Sequence, residues 1–578
     1  MNTLNALTLC LSVAAPLLPL LLWPSRRWRP LAVPLAPWTA LPALGASLLT
    51  PVGAAVDLNW LVLGTRLALD LPGQTFLFLS ALVWGLGGWF ALKQLAADPA
   101  RHRFFGFFLP AMAGNFGVIL VLDAPAFYAF FALMSFSAYG LVIHLLDAAA
   151  RRAARVYLWL VVLGEILLFA AFVLIAAGTG STALPAAAGA AISPAALGLA
   201  LFGFGIKAGL LPLHFGLPLA YTAAPTPAGA VLAGAMINAG LIGWLRVLPL
   251  GQAAQPGWGA LLIALGLTAA FFGVLAGITQ RNPKTLLAYS SVSQMGLITI
   301  GVGAGLLSPG HWGVLQAAVL LYALHHGLAK GALFLGLGIA DAAGAAVRPW
   351  VAPGLALPAL ALAGAPLTSG ALAKTALKAA TSLLPAPWPE WLALLLPLAA
   401  IGTTVLMARF LILAWPRGTA GKPPAAGLWL PWAILVAAAG VTLFVWPAAG
   451  EFRRGALRLP GAWLAAWPVL AGALVGLAAW KWGRRLAVFP PLPAGDLLIP
   501  LEGIAAWLGR RRPGRAAANA LLAPVAAVQR RLAWLTGRIE TSTLPVRFER
   551  RLQRWPVVGT VFLLLGTVVA LLLVAAQR

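Results

Sequence analysis

Carboxylates are scarce in this chain: 13 Asp and Glu stand against 39 Lys and Arg, and charged residues make up 9% of the total. A soluble domain carries about a quarter charged residues, so a water-soluble globule is excluded. There is one cysteine, Cys10, inside the first apolar run, which excludes a disulfide framework and leaves the redox compartment open. No cysteine cluster can hold an iron–sulfur centre, no glycine-rich nucleotide loop is present, and nothing resembles a hydrolase triad, so no cofactor is expected. The adjacent His325 and His326 have no cysteine or carboxylate at ligand spacing, so no metal is expected either.

What the chain does have is apolar length. Hydrophobic residues make up 61% of the 578. Runs of about 20 such residues, enough to cross a bilayer core as helix, recur from end to end. About sixteen spans are expected, from Leu4 to Leu22 through Phe104 to Leu122, Pro125 to Leu146 and Ala195 to Pro218, to Val557 to Ala575. The fold class is therefore all-α integral membrane. The first run lacks a basic leader and a credible cleavage site and is expected to be a retained span, with a bacterial inner membrane as the simplest location.

The net charge of +26 does not require nucleic acid. Arg26, Arg27 and Arg29, then Lys93, Arg101 and Arg103, then Arg151, Arg152 and Arg155, then Arg281 and Lys284 are expected in short loops on one side, as the positive-inside rule explains. The group Glu451, Arg453, Arg454 and Arg458 falls on the other side, so the orientation is favoured rather than fixed.

Residues 1–103 read as N-terminal spans with an extracytoplasmic hairpin or loop from Asp57 to Gln74. Two apolar helices are broken at mid-depth, one at Lys207 to His214 around Pro212 and one at Pro366 to Lys374 around Gly370. Proline in a span frees backbone groups that hydrocarbon cannot solvate, so such breaks persist only where protein or a wet cavity encloses them. Paired breaks point to two inverted five-helix repeats with broken central helices, assigned to residues 104–250 and 251–415. Further spans fill 416–480. A lateral amphipathic helix is expected within 481–555, with Leu521, Leu522, Val525, Val528, Leu532 and Leu535 opposite the arginines, and 556–578 forms the final span.

Glu165 sits among Val161, Val162, Leu163 and Ile166, inside a span where a carboxylate costs about 3 kcal/mol or more unless paired or wet. Lys207, Lys330 and Lys374 also stand in apolar surroundings, where desolvation penalises an ammonium and makes its proton exchangeable, as a relay requires. His214, His325 and His326 can donate and accept protons near neutral pH. His326 and Lys330 are four apart on one helix face, so a proton could pass between them directly or through one water. Lys378 can equally snorkel toward headgroups, and with Asn238 and Asp123 it is a candidate supporting residue.

From about Asp57 to Lys378 the chain resembles the antiporter-like membrane subunits shared by respiratory complex I, membrane-bound hydrogenases and multisubunit cation/proton antiporters. The resemblance rests on Lys207 to Pro218 with Ala224-Pro225-Thr226-Pro227-Ala228, Leu286 to Gly296, His326 to Phe334, and Pro366 to Lys374. It is nearest to the large distal type, which also ends in a lateral helix and a sixteenth span. The resemblance implies a half-channel in each repeat joined by a central polar line, with Lys207 and Lys374 as protonation sites and His326 and Lys330 on the link toward one exit. It also implies no redox cofactor in this subunit and partnership with other membrane subunits. Two positions depart from the family: Ala132 stands where a glutamate usually pairs with the broken-helix lysine, and Asn238 where a lysine is often found. Glu165 is the candidate substitute charge.

The expected function is a proton-translocating subunit of an energy-coupled membrane complex, redox-driven or antiporter-like, whose neighbours would include a peripheral redox arm. The alternatives are a proton-driven membrane partner for a zinc-enzyme-like protein in inorganic-carbon uptake, and a pump-inactive structural anchor.

Overall fold

Several helix starts among the described residues follow one recipe. A short polar residue caps the helix and proline stands at one of the first two positions, where its missing N–H is not needed. Asp70, Asp123, Asp147, Ser193, Asn282 and Thr368 each accept a backbone N–H two or three residues on, and Pro72, Pro125, Pro194 and Pro283 follow their caps. The structure is a computed structural model that describes residues 3–482 except 26, 185–191, 343–346 and 416–425, together with 492, 493, 495 and 498. The lateral segment and final span expected from the sequence lie outside the described residues.

The first helices are α1 (Thr3–Ala14), α2 (Arg29–Leu35), α3 (Leu41–Leu49), α4 (Leu71–Gln94), α5 (Arg101–Leu120), α6 (Ala124–Val142) and α7 (Ala148–Thr179). Next come α8 (Pro194–Ala208), α9 (Gly216–Ala223), α10 (Thr226–Val231), α11 (Asn238–Val247), α12 (Pro256–Ile278), α13 (Pro283–Leu307) and α14 (Trp312–Ala342). The last are α15 (Arg348–Ala363), α16 (Ser369–Thr381), α17 (Trp388–Leu413), α18 (Ala426–Val445), α19 (Gly450–Leu457) and α20 (Leu459–Trp482). Among the described residues, 14 segments are long and apolar enough to cross a membrane. The pair α15 and α16 misses that length because Gly364 to Thr368 interrupts it. The protein is a multi-pass, nearly all-helical membrane protein.

The expected hairpin is present as β1 (Ala55–Leu58) and β2 (Thr65–Ala68), antiparallel with Asp57 opposite Arg66. It ends sooner than expected, because Asp70 caps α4 and Gln74 is already helical. The Arg66 N–H donates to Asp123 Oδ2 at 3.0 Å, while Asp123 Oδ1 accepts from Ala126 at 2.9 Å. Asp123 therefore caps α6 and pins the hairpin. Asp70 also accepts both arms of the buried Arg246 guanidinium, at 2.8 and 3.1 Å, which ties the start of α4 to the end of α11.

Two groups of basic residues lie elsewhere than expected. Arg101 and Arg103 open α5, and Arg151, Arg152 and Arg155 lie in the first turns of α7 rather than in loops. Between these helices, His144 Nε2 meets Asp98 Oδ2 at 2.8 Å, and the Arg103 side chain donates to the His144 carbonyl. Burial alone would raise the Asp98 carboxyl, but the His144 ring, the Ala100 N–H and the Arg103 charge together hold it below its usual range.

The core forms where backbones can meet. Gly259, Gly266 and Gly273, seven apart on α12, face α13 so closely that a methyl added at Gly266 would stand 2.6 Å from the Gly296 carbonyl oxygen. Small residues that let helices touch are the usual route to tight packing in lipid, where no hydrophobic drive separates helix from acyl chain. Enclosure is greatest within Pro309–Ala342, whose 18-residue apolar stretch is 100% buried, and within Thr226–Val247 and Pro283–Leu307, at 94% each, whereas that of Leu459–Ala479 is 11% buried. Polar side chains concentrate in those enclosed spans.

Gly266→Ala is expected to lower stability by about 1–3 kcal/mol, read as a lower melting temperature in detergent. Because the Asp98 carboxyl is held low, its contribution is full above the ordinary carboxylate range and is lost as pH falls through it. Melting should therefore drop below about pH 4, and the drop should be smaller in Asp98→Asn.

Candidate functional site

Each broken helix ends in the same way. At the close of α8, Gly209 adopts φ +77° and the Leu210 N–H returns to the Gly205 carbonyl; at the close of α15, Gly364 adopts φ +90° and the Ala365 N–H returns to Leu360. A left-handed residue followed by a six-to-one hydrogen bond stops a helix cleanly, and glycine fits it at no steric cost. The two lysines lie on opposite sides of their breaks. Lys207 is in the last turn of α8, whereas Lys374 belongs to α16 and reaches back, donating from Nζ to the Ala363 carbonyl at 2.7 Å. That carbonyl is one of those a helix end leaves without an internal partner.

Lys207 Nζ donates to Tyr157 Oη at 3.0 Å and to Ser135 Oγ at 3.3 Å, and lies 5.4 Å from the Tyr157 ring centroid. A cleft of about 40 Å³ adjoins it, bounded by Tyr157, Tyr221, Met236 and Ile237. One water needs roughly 10–15 Å³ of such space, so a few fit. A second cleft of about 90 Å³ adjoins Lys374, lined also by Tyr322, Thr375 and Lys378. Lys378 thus shares the Lys374 cleft.

The middle of the molecule is more enclosed. His214 sits in a short turn between α8 and α9, fully buried, its ring 5.0 Å from that of Phe272 and 6.5 Å from that of Tyr289. On α14, His325, His326 and Lys330 are all fully buried. Lys330 Nζ donates to the Leu287 carbonyl at 2.7 Å, and neither ring nitrogen of His326 has a hydrogen-bond partner among the described residues. His326 and Lys330, four apart on one helix face, are not hydrogen-bonded to each other; the amine bonds a backbone carbonyl of α13. His325 Nδ1 meets Ser369 Oγ at 2.9 Å, at the start of α16, and its ring lies 6.2 Å from that of Tyr322. Tyr322 Oη donates to Gln294 Oε1 at 3.0 Å, and Gln294 Nε2 donates to Thr403 at 3.3 Å. These contacts tie α14 to the second break and, through Gln294, to α17.

Asn238 has a backbone task. Residues Leu232–Met236 form a π turn in which the Ile237 N–H returns to Leu232, and the Asn238 amide donates to the Gly234 carbonyl at 3.0 Å. Turns of this kind free carbonyls, and the side chain satisfies one of them. Gly234 meets Gly327 backbone to backbone, so the turn is pressed against the α14 segment that carries His326 and Lys330.

Glu165 is on α7, 5% exposed, and neither of its carboxylate oxygens has a hydrogen-bond partner among the described residues. Gly164 beside it packs against Gly203 and Ile206 of α8, which brings Glu165 within electrostatic reach of Lys207. Among the described residues, no group of three or more His, Cys, Asp or Glu is arranged to hold a metal ion.

Several residues here were not singled out from the sequence. Ser135 and Tyr157 carry no mark that separates them from other polar residues in spans. Lys284, expected in a loop, stands in the first turn of α13 and donates to the Ala224 carbonyl at 3.0 Å. A signal for it existed, since Pro225 and Pro227 cannot supply N–H donors and leave nearby carbonyls unclaimed.

Comparison with known proteins gives this arrangement a family. Residues 122–383 match the family described as NADH:quinone oxidoreductase/Mrp antiporter, TM. The chain is 33% identical over 290 residues to hydrogenase-4 component B of Escherichia coli, covering 46% of this chain and 43% of that protein. It is 28% identical over 340 residues to a Na(+)/H(+) antiporter subunit of Alkalihalophilus pseudofirmus, covering 55% of this chain and 68% of that protein. The chain spans less than two thirds of the length of several curated relatives it matches, at 43%, 51% and 28%. Its fold is that of a chain in the Mrp complex from Dietzia sp., with a TM-score of 0.69 at 23% identity, over 93% of this chain and 63% of that one. Residues 122–383 of this chain are therefore similar to the NADH:quinone oxidoreductase/Mrp antiporter transmembrane family.

Proposed function

We propose that this chain is the proton-translocating membrane subunit of a multisubunit energy-coupled complex, seated in a bacterial inner membrane. The observation that carries the reading is Lys330, a fully buried amine whose hydrogen-bond partner is a backbone carbonyl, between two broken helices that each present a further lysine beside a cleft. An ion pair that served only structure would be expected to bring a carboxylate to each amine. Amines held by hydroxyls and carbonyls pay a desolvation cost when charged and can give up a proton without breaking a salt bridge.

In this reading a proton moves by way of Lys207, His214, His326, Lys330, His325 and Lys374, with clefts at the two outer lysines supplying water. The two breaks stand at the centres of two inverted repeats. His325, bonded to Ser369, links the helix carrying Lys330 to the helix carrying Lys374. Other membrane subunits are the partners. A peripheral redox arm supplies the driving energy, and a zinc-enzyme-like neighbour would instead mark an inorganic-carbon system.

The chain purified with its native neighbours and reconstituted in liposomes tests this by dye-reported proton flux. Lys207→Met, Lys330→Met and Lys374→Met should each lower flux at least about tenfold while the complex still assembles. Wild-type flux in all three would remove the relay and leave a structural anchor.

A further inference from the structure

Two buried ionisable side chains in the described spans, His326 and Glu165, have no hydrogen-bond partner among the described residues, and Glu165 is the one without a part in the relay above. Glu165 lies inside α7, with both carboxylate oxygens buried and neither hydrogen-bonded among the described residues. An isolated carboxylate in such surroundings is costly enough that it persists only where it is protonated, paired or reached by water.

The packing says which group it can serve. The Gly164 backbone lies against α8, where an added methyl would stand 3.5 Å from the Gly203 carbonyl oxygen and 3.7 Å from Ile206 Cδ1. Lys207 is the next residue after Ile206. The ionisable groups that sense Glu165 are Tyr128 from α6, Tyr157 from α7 itself and Lys207 from α8. The Tyr128 ring also packs 5.9 Å from that of Phe169, one turn along α7 from Glu165. Of these, Lys207 is the amine, and Tyr157 already accepts a hydrogen bond from it.

Resting on the relay reading above, we propose that Glu165 is the proton-exchange partner of Lys207, so that α7 supplies the carboxylate for the first broken-helix lysine. In the exchange an Nζ–H bond of the ammonium breaks and an O–H bond forms on Glu165. An ammonium and a carboxylate become an amine and a carboxylic acid, with no other reactant. Ser135 and Tyr157 hold the amine before and after, which explains why the hydrogen bonds of Lys207 run to hydroxyls while its charge partner stands apart.

The reconstituted complex tests this with three variants. Glu165→Gln should cut Lys207-dependent flux about tenfold. Ala132 lies one turn before Ser135 on α6, so Ala132→Glu in the Glu165→Gln background returns a carboxylate to the Lys207 amine from the other side and should restore most of the flux. A purely structural role for Glu165 would not be rescued in this way. In infrared difference spectra, a carboxyl band absent from Glu165→Gln should shift in Lys207→Met, and this decides the matter if the double variant does not assemble. Wild-type flux in Glu165→Gln while Lys207→Met abolishes it would overturn the pairing and leave the relay standing. Lost flux without rescue, and with no Lys207-dependent band, would also overturn the pairing. Flux indifferent to Lys207→Met would overturn the relay itself.

Discussion

The structure depends on how an ammonium can be kept inside hydrocarbon with almost no carboxylates to pair it. Thirteen acids serve 578 residues, and most of those described are used at helix starts and loops. Among the described residues the hydrogen bonds of the buried Lys330 and the half-buried Lys207, Lys284 and Lys374 run instead to neutral dipoles. Lys330 has the Leu287 carbonyl, Lys374 the Ala363 carbonyl, Lys284 the Ala224 carbonyl, and Lys207 two hydroxyls. Neutral acceptors stabilise the charged amine less than a carboxylate would, and they remain adequate partners once the proton has left.

Helix breaks are the source of several of these acceptors. A regular helix consumes its carbonyls internally, so a span can offer one to a side chain only where the ladder is interrupted. The left-handed glycine at Gly364 frees the Ala363 carbonyl, and the prolines at 225 and 227 keep the Ala224 carbonyl available. The π turn before Asn238 frees a third, which Asn238 itself satisfies. Irregular backbone costs too much at a lipid-facing surface, and the stretch from Ala224 through the π turn to Met236 is buried throughout.

The parts of this arrangement carried by residue type were legible in the sequence. Gly209 and Pro212 mark the first break and Pro366 the second, and Lys207, Lys330, Lys374 and the histidines stand out because ionisable residues are rare in apolar runs. The capping role of Asp123 was not legible, because a capping carboxylate looks like any other without the N–H groups it accepts from. Helical spacing put His326 and Lys330 on one face, but it says nothing about the carbonyl on a neighbouring helix that takes the lysine amine. Ser135, Tyr157 and Leu287 were invisible for the same reason. A carbonyl acceptor belongs to the backbone and leaves no mark in the residue string, and a hydroxyl becomes a lysine partner only through the crossing of α6, α7 and α8.

The central claim is that Lys207, Lys330 and Lys374 communicate with one another through water, histidines and neutral dipoles. A cryo-electron microscopy map of the intact complex in lipid, fine enough to order water, tests it most directly. The account predicts ordered water in the clefts beside Lys207 and Lys374 and hydrogen-bonded steps from each toward His326 and Lys330. A dry apolar seal on both sides of that pair, with no water in contact with any of the three lysines, would contradict it.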